Sequence, residues 1–298
     1  MDVFLQALFS GLLLGGFYAV MVLGFSVIWG VMGVINFAHG EFLMIGAYLA
    51  WALFRAFGLD PFLSILIVAP VMFGVGYFLQ KVLINRVVER PRLIALLVTF
   101  GLSISLANLY KLVYSASPRT VSVAYNGSWN YSWGAGAITL PIVKSLILVV
   151  ALLIMTALYL FMQRTKLGKS IRAAAQNKEA ARIVGIDIET VYAITFGICI
   201  AVTAAAGAML SMTNPIFPFM GPPFTLRAFT ITALGGLGQI PGALLGGLIL
   251  GLIELFVATY VPTIGTNLGI ATSFILLVII LIVRPQGLLQ GLRPMEAE

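Results

Sequence analysis

Apolar runs long enough to cross a bilayer recur along almost the whole chain, at residues 4–29, 30–54, 62–83, 93–114, 142–162, 191–212, 243–260 and 268–283. A helix needs roughly 20 such residues to span the hydrocarbon. Backbone in hydrocarbon has no water to bond, so runs like these fold as helices packed on one another. A shorter run, 227–237, lies between the sixth and seventh. The sequence therefore predicts an all-α membrane protein. It is a polytopic helical bundle of about eight long spans plus one short or broken span, and a single domain over residues 1–298. Composition agrees, with 61% of the residues hydrophobic and 9% charged, against about 25% charged in soluble domains.

The net charge of +7 is not a nucleic-acid footprint, because the cations sit between apolar runs and form no basic reading face. Residues 81–92 carry four cations and one acid. Residues 163–190 hold six of the seventeen Lys and Arg with three acids. Cationic loops stay in the cytoplasm, which places both segments there. Counting spans from them puts the N-terminus outside and 115–141 and 213–225 outside. The tail with Arg284 and Arg293 is cytoplasmic, provided 227–237 crosses. Tyr125, Trp129, Tyr131 and Trp133 suit an interfacial belt. Pro215, Pro218, Pro222 and Pro223 exclude regular helix over 213–225. The N-terminus lacks the basic start and cleavage site of a signal peptide, so the first run is expected to be retained. The single cysteine, Cys199, excludes an internal disulfide and argues against a metal site.

Within 163–190, residues 168–184 favour helix, with five alanines among Lys, Arg, Gln and Glu. Gly185 is placed to end that helix. Ile171, Ala174, Ala175, Ala181 and Val184 can share one weakly apolar side. Gly168-Lys169-Ser170 echoes a phosphate loop, but the glycine required five residues earlier is Gln163, so the motif is absent.

Polar residues at membrane depth face a bundle interior or a water-filled path. Asn36, His39, Gly40 and Glu41 interrupt the second run and predict an irregular or broken helix. Three readings stay open: a translocation path or hinge, a helix-end packing cluster, or a His–carboxylate general-base pair. No activated nucleophile accompanies them. Glu254, in the seventh long run, either lines the path or braces a neighbouring helix. The glycine-rich stretch 234–247 has no following Lys. Its Gly235, Gly236, Gly238, Gly242 and Gly246 therefore read as helix packing or a helix break. GxxxG spacings occur at Gly11/Gly15, Gly242/Gly246 and Gly247/Gly251.

Four stretches in register carry a family resemblance: GVINFAHGEFLMIGAY (33–48), GKSIRAAAQNKEAARIVGID (168–187), ALGGLGQIPGALLGGLILGLIE (233–254) and RPQGLL (284–289). Together they resemble the H-type membrane subunit of branched-chain amino-acid ABC importers, across nearly the whole chain. Glu179-Ala180-Ala181, with Gly185 four residues on, is similar to the EAAxxxG core of ABC importer permeases. The resemblance implies an ATPase-coupling loop over 163–190, with Lys169, Arg172, Asn177, Glu179, Ala180, Ala181 and Gly185 at the contact. It also implies two cytoplasmic ATPase subunits that bind ATP and Mg, with no cofactor on this chain. The further partners are a homologous M-type permease subunit and a periplasmic substrate-binding protein meeting 115–141 and 213–225. The setting is a bacterial or archaeal cytoplasmic (inner) membrane, with lipid around the bundle and no nucleic acid. A permease for urea or short-chain amides and a stand-alone secondary transporter are the alternatives. An intramembrane enzyme at His39 and Glu41 is the third.

Overall fold

The computed structural model describes residues 2–133, 136–236, 238–261, 265–283 and 287–288. Its helices are α1 (Asp2–Met32), α2 (His39–Phe57), α3 (Pro61–Leu79), α4 (Arg92–Tyr114), α5 (Ile142–Arg164), α6 (Lys166–Gln176), α7 (Lys178–Ile183), α8 (Ile188–Leu210), α9 (Gly221–Gly235), α10 (Ile240–Tyr260) and α11 (Gly265–Val283). Eight of those described helices have 19 residues or more, and α9 has 15. Seven of the described helices, α1–α5, α8 and α10, are long and apolar enough to cross a membrane, and α11 adds a shorter apolar stretch over Ala271–Val283, against the eight long spans plus one short span expected from hydropathy. Arg284–Gln286 and Leu289 of the RPQGLL stretch, Leu237 and the tail 290–298 lie outside the described residues.

Helix α1 is the central post. It packs along α10 through two GxxxG faces that meet. Gly11 and Gly15 of α1 lie against Leu252 and Leu248, and Gly247 and Gly251 lie against Ala19 and Gly15. A Cβ on Gly15 would sit 2.6 Å from the Leu248 Cα. In lipid there is no hydrophobic drive between helices, so close backbone approach supplies the packing energy. Helix α8 is the second post, holding α3 through Gly76 and Gly197 and α2 through Gly46 and Gly207. Helices α1 and α8 meet at Gly24, where an added Cβ would strike the Cys199 carbonyl and the Thr203 hydroxyl. Both posts are mostly buried, whereas α3, α4 and α5 expose Leu66, Phe78, Leu97, Leu112 and Leu153.

Three local expectations change. The polar stretch 115–141 contains an antiparallel hairpin, β1 (Ser128–Trp133) and β2 (Gly136–Pro141), paired from Ser128↔Pro141 to Trp133↔Gly136. Pro222 and Pro223 do not exclude helix, because they occupy the first turn of α9, where the missing N–H has no helical partner to lose. The short run thus starts at Gly221 rather than Arg227. Finally, the interruption near Asn36 separates two helices rather than breaking one. Residues 33–38 are irregular and α2 begins at His39.

Candidate functional site

The chain turns back at Gly33, whose φ of +65° is a left-handed conformation suited to glycine. His39 then meets the carbonyl of Met21 at 3.0 Å. Met21 lies in the middle of α1, so α2 starts level with that middle, about 16 Å of helix rise short of the end of α1. Residues 33–38 are therefore non-helical backbone at depth, which is tolerated only where other groups satisfy it. Two threonines do so. The Thr99 hydroxyl of α4 accepts from Phe37 N at 3.2 Å and reaches the Ile35 carbonyl at 3.1 Å. The Thr225 hydroxyl of α9 accepts from Gly40 N at 2.8 Å and reaches the Phe37 carbonyl at 3.3 Å.

Helix α9 therefore begins where α2 begins. The two N-termini touch, and a Cβ on Gly40 would run into the Gly221 carbonyl. Glu41, 0% exposed, takes a hydrogen bond from Ser103 of α4 at 2.9 Å. Its carboxylate also lies against Gly221, where an added Cβ would overlap it. A carboxylate is favourable at helix N-termini, whose amides point outward. Asn36 accepts from Ala38 N at 3.1 Å. Its Nδ2, the Nδ1 of His39 and the Oε2 of Glu41 bond to nothing among the described residues. His39 and Glu41 each bond elsewhere, and no hydrogen bond joins them. The general-base pairing is not formed, and the structure brings these four residues together as a junction between two discontinuous helices.

Glu254 lies in a different cluster. It accepts from Tyr18 Oη at 2.6 Å, Arg227 Nε at 2.9 Å and Ser273 Oγ at 2.8 Å. One carboxylate thus ties α10 to α1, α9 and α11. Arg227 was missed as its partner, although a basic residue in the short apolar run is the signal that finds it. The Arg227 guanidinium also stacks on Tyr18 and Phe224, at 5.7 and 5.6 Å from the ring centres. Bracing is the role this geometry fits.

The glycine-rich stretch forms the tight α9–α10 corner. Gly235 and Gly242 abut backbone to backbone, Gly246 packs on Ile231, and Gly238 packs on Gly30 of α1. Gly236 and Gly238 take φ of +96° and +72°. Gly287 lies against Gly236, and Leu288 N donates to the Leu234 carbonyl at 2.8 Å.

The helix expected over 168–184 is two helices. Thr165 caps α6 by accepting from Gly168 N at 2.9 Å. Asn177 breaks it with an extended backbone and caps α7 by accepting from Glu179 N and Ala180 N at 3.0 and 2.9 Å. Asparagine favours a cap over a helix interior because its side chain competes for backbone amides. Gly185, at φ +84°, ends α7 as expected. Ile171, Ala174 and Ala181 are buried, but Ala175 is exposed and Val184 is 75% exposed. Beside it Ile183 is 86% exposed. Arg172 reaches back to the Met162 carbonyl of α5. Lys169, Glu179 and Ala180 face outward. Arg182 pairs with Glu89 at 2.7 Å, fixing α7 to the α3–α4 loop. The Arg182 guanidinium holds the Glu89 carboxyl below its usual range. The Thr190 hydroxyl and backbone amide do the same for Asp187, the cap of α8.

Residues 7–283 match the family described as branched-chain amino acid transport system / permease component. This chain belongs to that family. It is 35% identical to the protein LivH of Salmonella typhimurium, named a high-affinity branched-chain amino acid transport system permease protein, over 96% of this chain and 95% of that one. It is 34% identical, over the same shares, to BraD of Pseudomonas aeruginosa, which carries the same description. LivM of Escherichia coli is 25% identical, over 93% of this chain and 68% of that one. Among solved structures, PsaBC from Streptococcus pneumoniae in complex with Fab matches with a TM-score of 0.50 and 12% identity, covering 98% of this chain and 95% of that one. That likeness concerns the fold alone. The family member described here is thus a multi-pass membrane permease, with seven described helices long and apolar enough to cross.

Proposed function

We propose that this chain is the permease subunit of an ATP-driven importer of branched-chain amino acids in a bacterial or archaeal inner membrane. It pairs with a homologous M-type permease, two cytoplasmic ATPases that bind ATP and Mg, and a periplasmic binding protein. The observation that carries this reading is the α6–α7 platform. It is anchored by Arg172 and Arg182 yet presents Ile183 and Val184 bare at the end of the bundle richest in cations. Exposed large apolar side chains beside a fixed short helix are an interaction surface, and an ATPase cleft is the partner the family offers. In this reading Lys169, Asn177, Glu179, Ala180, Ala181 and Gly185 shape that contact, and the N-terminus is outside.

The junction of α2 and α9 is the hinge in this account. Two half-helices meeting at mid-depth form the arrangement on which transporter halves rock. Asn36, His39, Gly40 and Glu41 hold it, while Glu254 braces the helices behind it and the α9–α10 glycines let the halves pack closely.

Co-expression with the neighbouring ATPase and permease genes, followed by affinity purification of this chain, tests the assembly. Co-elution of ATPase subunits, lost in the I183D/V184D double variant, is expected. Co-elution unaffected by that variant would overturn the assigned docking surface, and purification of the chain alone would overturn the assembly.

A further inference from the structure

Between α1, α5, the α8–α9 turn and α9 lies a cavity of about 290 Å³, just below the range that holds drug-sized ligands and suited to a smaller molecule. It opens at the end of the bundle that carries the hairpin, since Lys144 in the first turn of α5 and Asn214 just beyond α8 line its rim. We propose that this cavity is a substrate subsite within the protomer, binding the carboxylate of an apolar amino acid at Arg227 and Lys144. The proposal rests on the importer reading and gives it a location in this chain.

Charge, polarity and shape each support it. Arg227 uses Nε on Glu254 and also hydrogen-bonds the Tyr18 side chain, and a guanidinium carries further N–H donors for a second acceptor. Arg227 and Lys144 are two cations against the single acid Glu254, which leaves one positive charge for a carboxylate to offset. Arginine matches a carboxylate with a pre-organised fork, and charge-assisted bonds of this kind are the strong ones. The Thr213 hydroxyl lies within hydrogen-bond reach of both the Leu210 carbonyl, at 3.2 Å, and the Asn214 side-chain oxygen, at 3.0 Å. The Thr213 hydroxyl and the Asn214 side-chain oxygen line the cavity, and both oxygens keep lone pairs that can accept an ammonium. Apart from Tyr18, the remaining wall is apolar and includes Leu13, Phe17, Ile147 and Phe224, with the Phe17 and Phe224 rings edge to face at 6.4 Å. An aliphatic side chain fits that wall, and urea does not use it.

The test is saturation-transfer NMR on the assembled permease–ATPase complex in nanodiscs, without binding protein. The probes are L-leucine, 4-methylpentanoate and L-leucinamide. Leucine and 4-methylpentanoate should give methyl signals, and leucinamide, which lacks the carboxylate, should not. K144E should weaken leucine binding by about tenfold, equivalent to ~1.4 kcal/mol. R227M/E254M, which removes the cation together with its acid, should abolish the signals. Leucinamide binding equal to leucine, or leucine binding unchanged in K144E, overturns the proposal. Nanodiscs with and without phosphatidylglycerol separate the other source of an anion: a leucine signal abolished by the anionic lipid assigns the cavity to a headgroup and also overturns it. ATP-driven leucine uptake by the same complex keeps the two readings apart. Uptake unaltered in K144E removes the subsite and leaves the importer, whereas no uptake by the unaltered complex removes the importer.

Discussion

Replacing Arg227 by methionine isolates the energetics of the Glu254 cluster. The side chains of Arg227 and Glu254 are 14% and 6% exposed, so water does little to compensate either charge. Breaking a buried pair from one side typically costs about 3–5 kcal/mol, because the remaining charge is stranded. Glu254 would keep the Tyr18 and Ser273 hydroxyls, at 2.6 and 2.8 Å, which places R227M near the lower figure. At ~2–4 °C per kcal/mol the midpoint should fall by about 6–12 °C. Removing both charges in R227M/E254M substitutes apolar packing for the pair and is commonly neutral or stabilising. The double variant should therefore melt within about 3 °C of the unaltered chain. The chain supplies its own reporter, since Cys199 is the single cysteine and is 1% exposed. A maleimide dye that fluoresces on reacting with Cys199 follows unfolding of the detergent-purified protein. A double variant as unstable as the sum of the two single variants would show that the residues act independently and refute the brace.

Other perturbations address the remaining parts. T225V keeps the shape at the α2–α9 junction and strips the Gly40 amide of its acceptor, so the same melt should fall by the equivalent of about 1–3 kcal/mol. G15L forces a branched side chain against Leu248 where even a Cβ does not fit, and it should separate α1 from α10. Loss of the monodisperse gel-filtration peak is expected, and a peak unchanged in position and height would contradict the seam. N177A removes the cap of α7 at a cost of about 1 kcal/mol, and faster hydrogen exchange confined to residues 178–183 should report it. The Glu89–Arg182 tie depends on pH with a definite sign. The Glu89 pKa is depressed by Arg182, so the stabilisation is present above the ordinary glutamate pKa and is lost as pH falls through the lowered value. Exchange protection of 178–183, corrected for intrinsic rates, should be flat from pH 8 to 5 and drop only under stronger acid. A drop between pH 8 and 6 would be inconsistent with this pair.

The helical, membrane-spanning character was legible because hydropathy and length are local properties. The position of the first junction was legible too, since Asn36, His39 and Glu41 have no place on a lipid-facing helix. Its depth was not, because the groups that satisfy residues 33–38 are Thr99 and Thr225, remote in sequence and bland in type. The split at Asn177 did carry a local signal: an Asn two residues before Glu179 is a capping position, masked by the strong helix formers around it. Trp129, Tyr131 and Trp133 alternate in strand fashion, yet in a chain this apolar they read as a belt. Pro222 and Pro223 mark a helix start as readily as a loop, and only the arrival of Thr225 at Gly40 decides between them. The GxxxG pairs at Gly11/Gly15 and Gly247/Gly251 were visible as motifs, whereas their facing one another is a tertiary fact.

We propose that this bundle moves amino acids because partner ATPases act on α6 and α7. The most direct measurement is uptake of radiolabelled L-leucine into proteoliposomes holding the full complex, with binding protein supplied on its own side and ATP on the other. The account predicts accumulation that requires ATP and is lost when Ile183 and Val184 are replaced by aspartate. Leucine accumulation by this chain alone, without ATP, would contradict it.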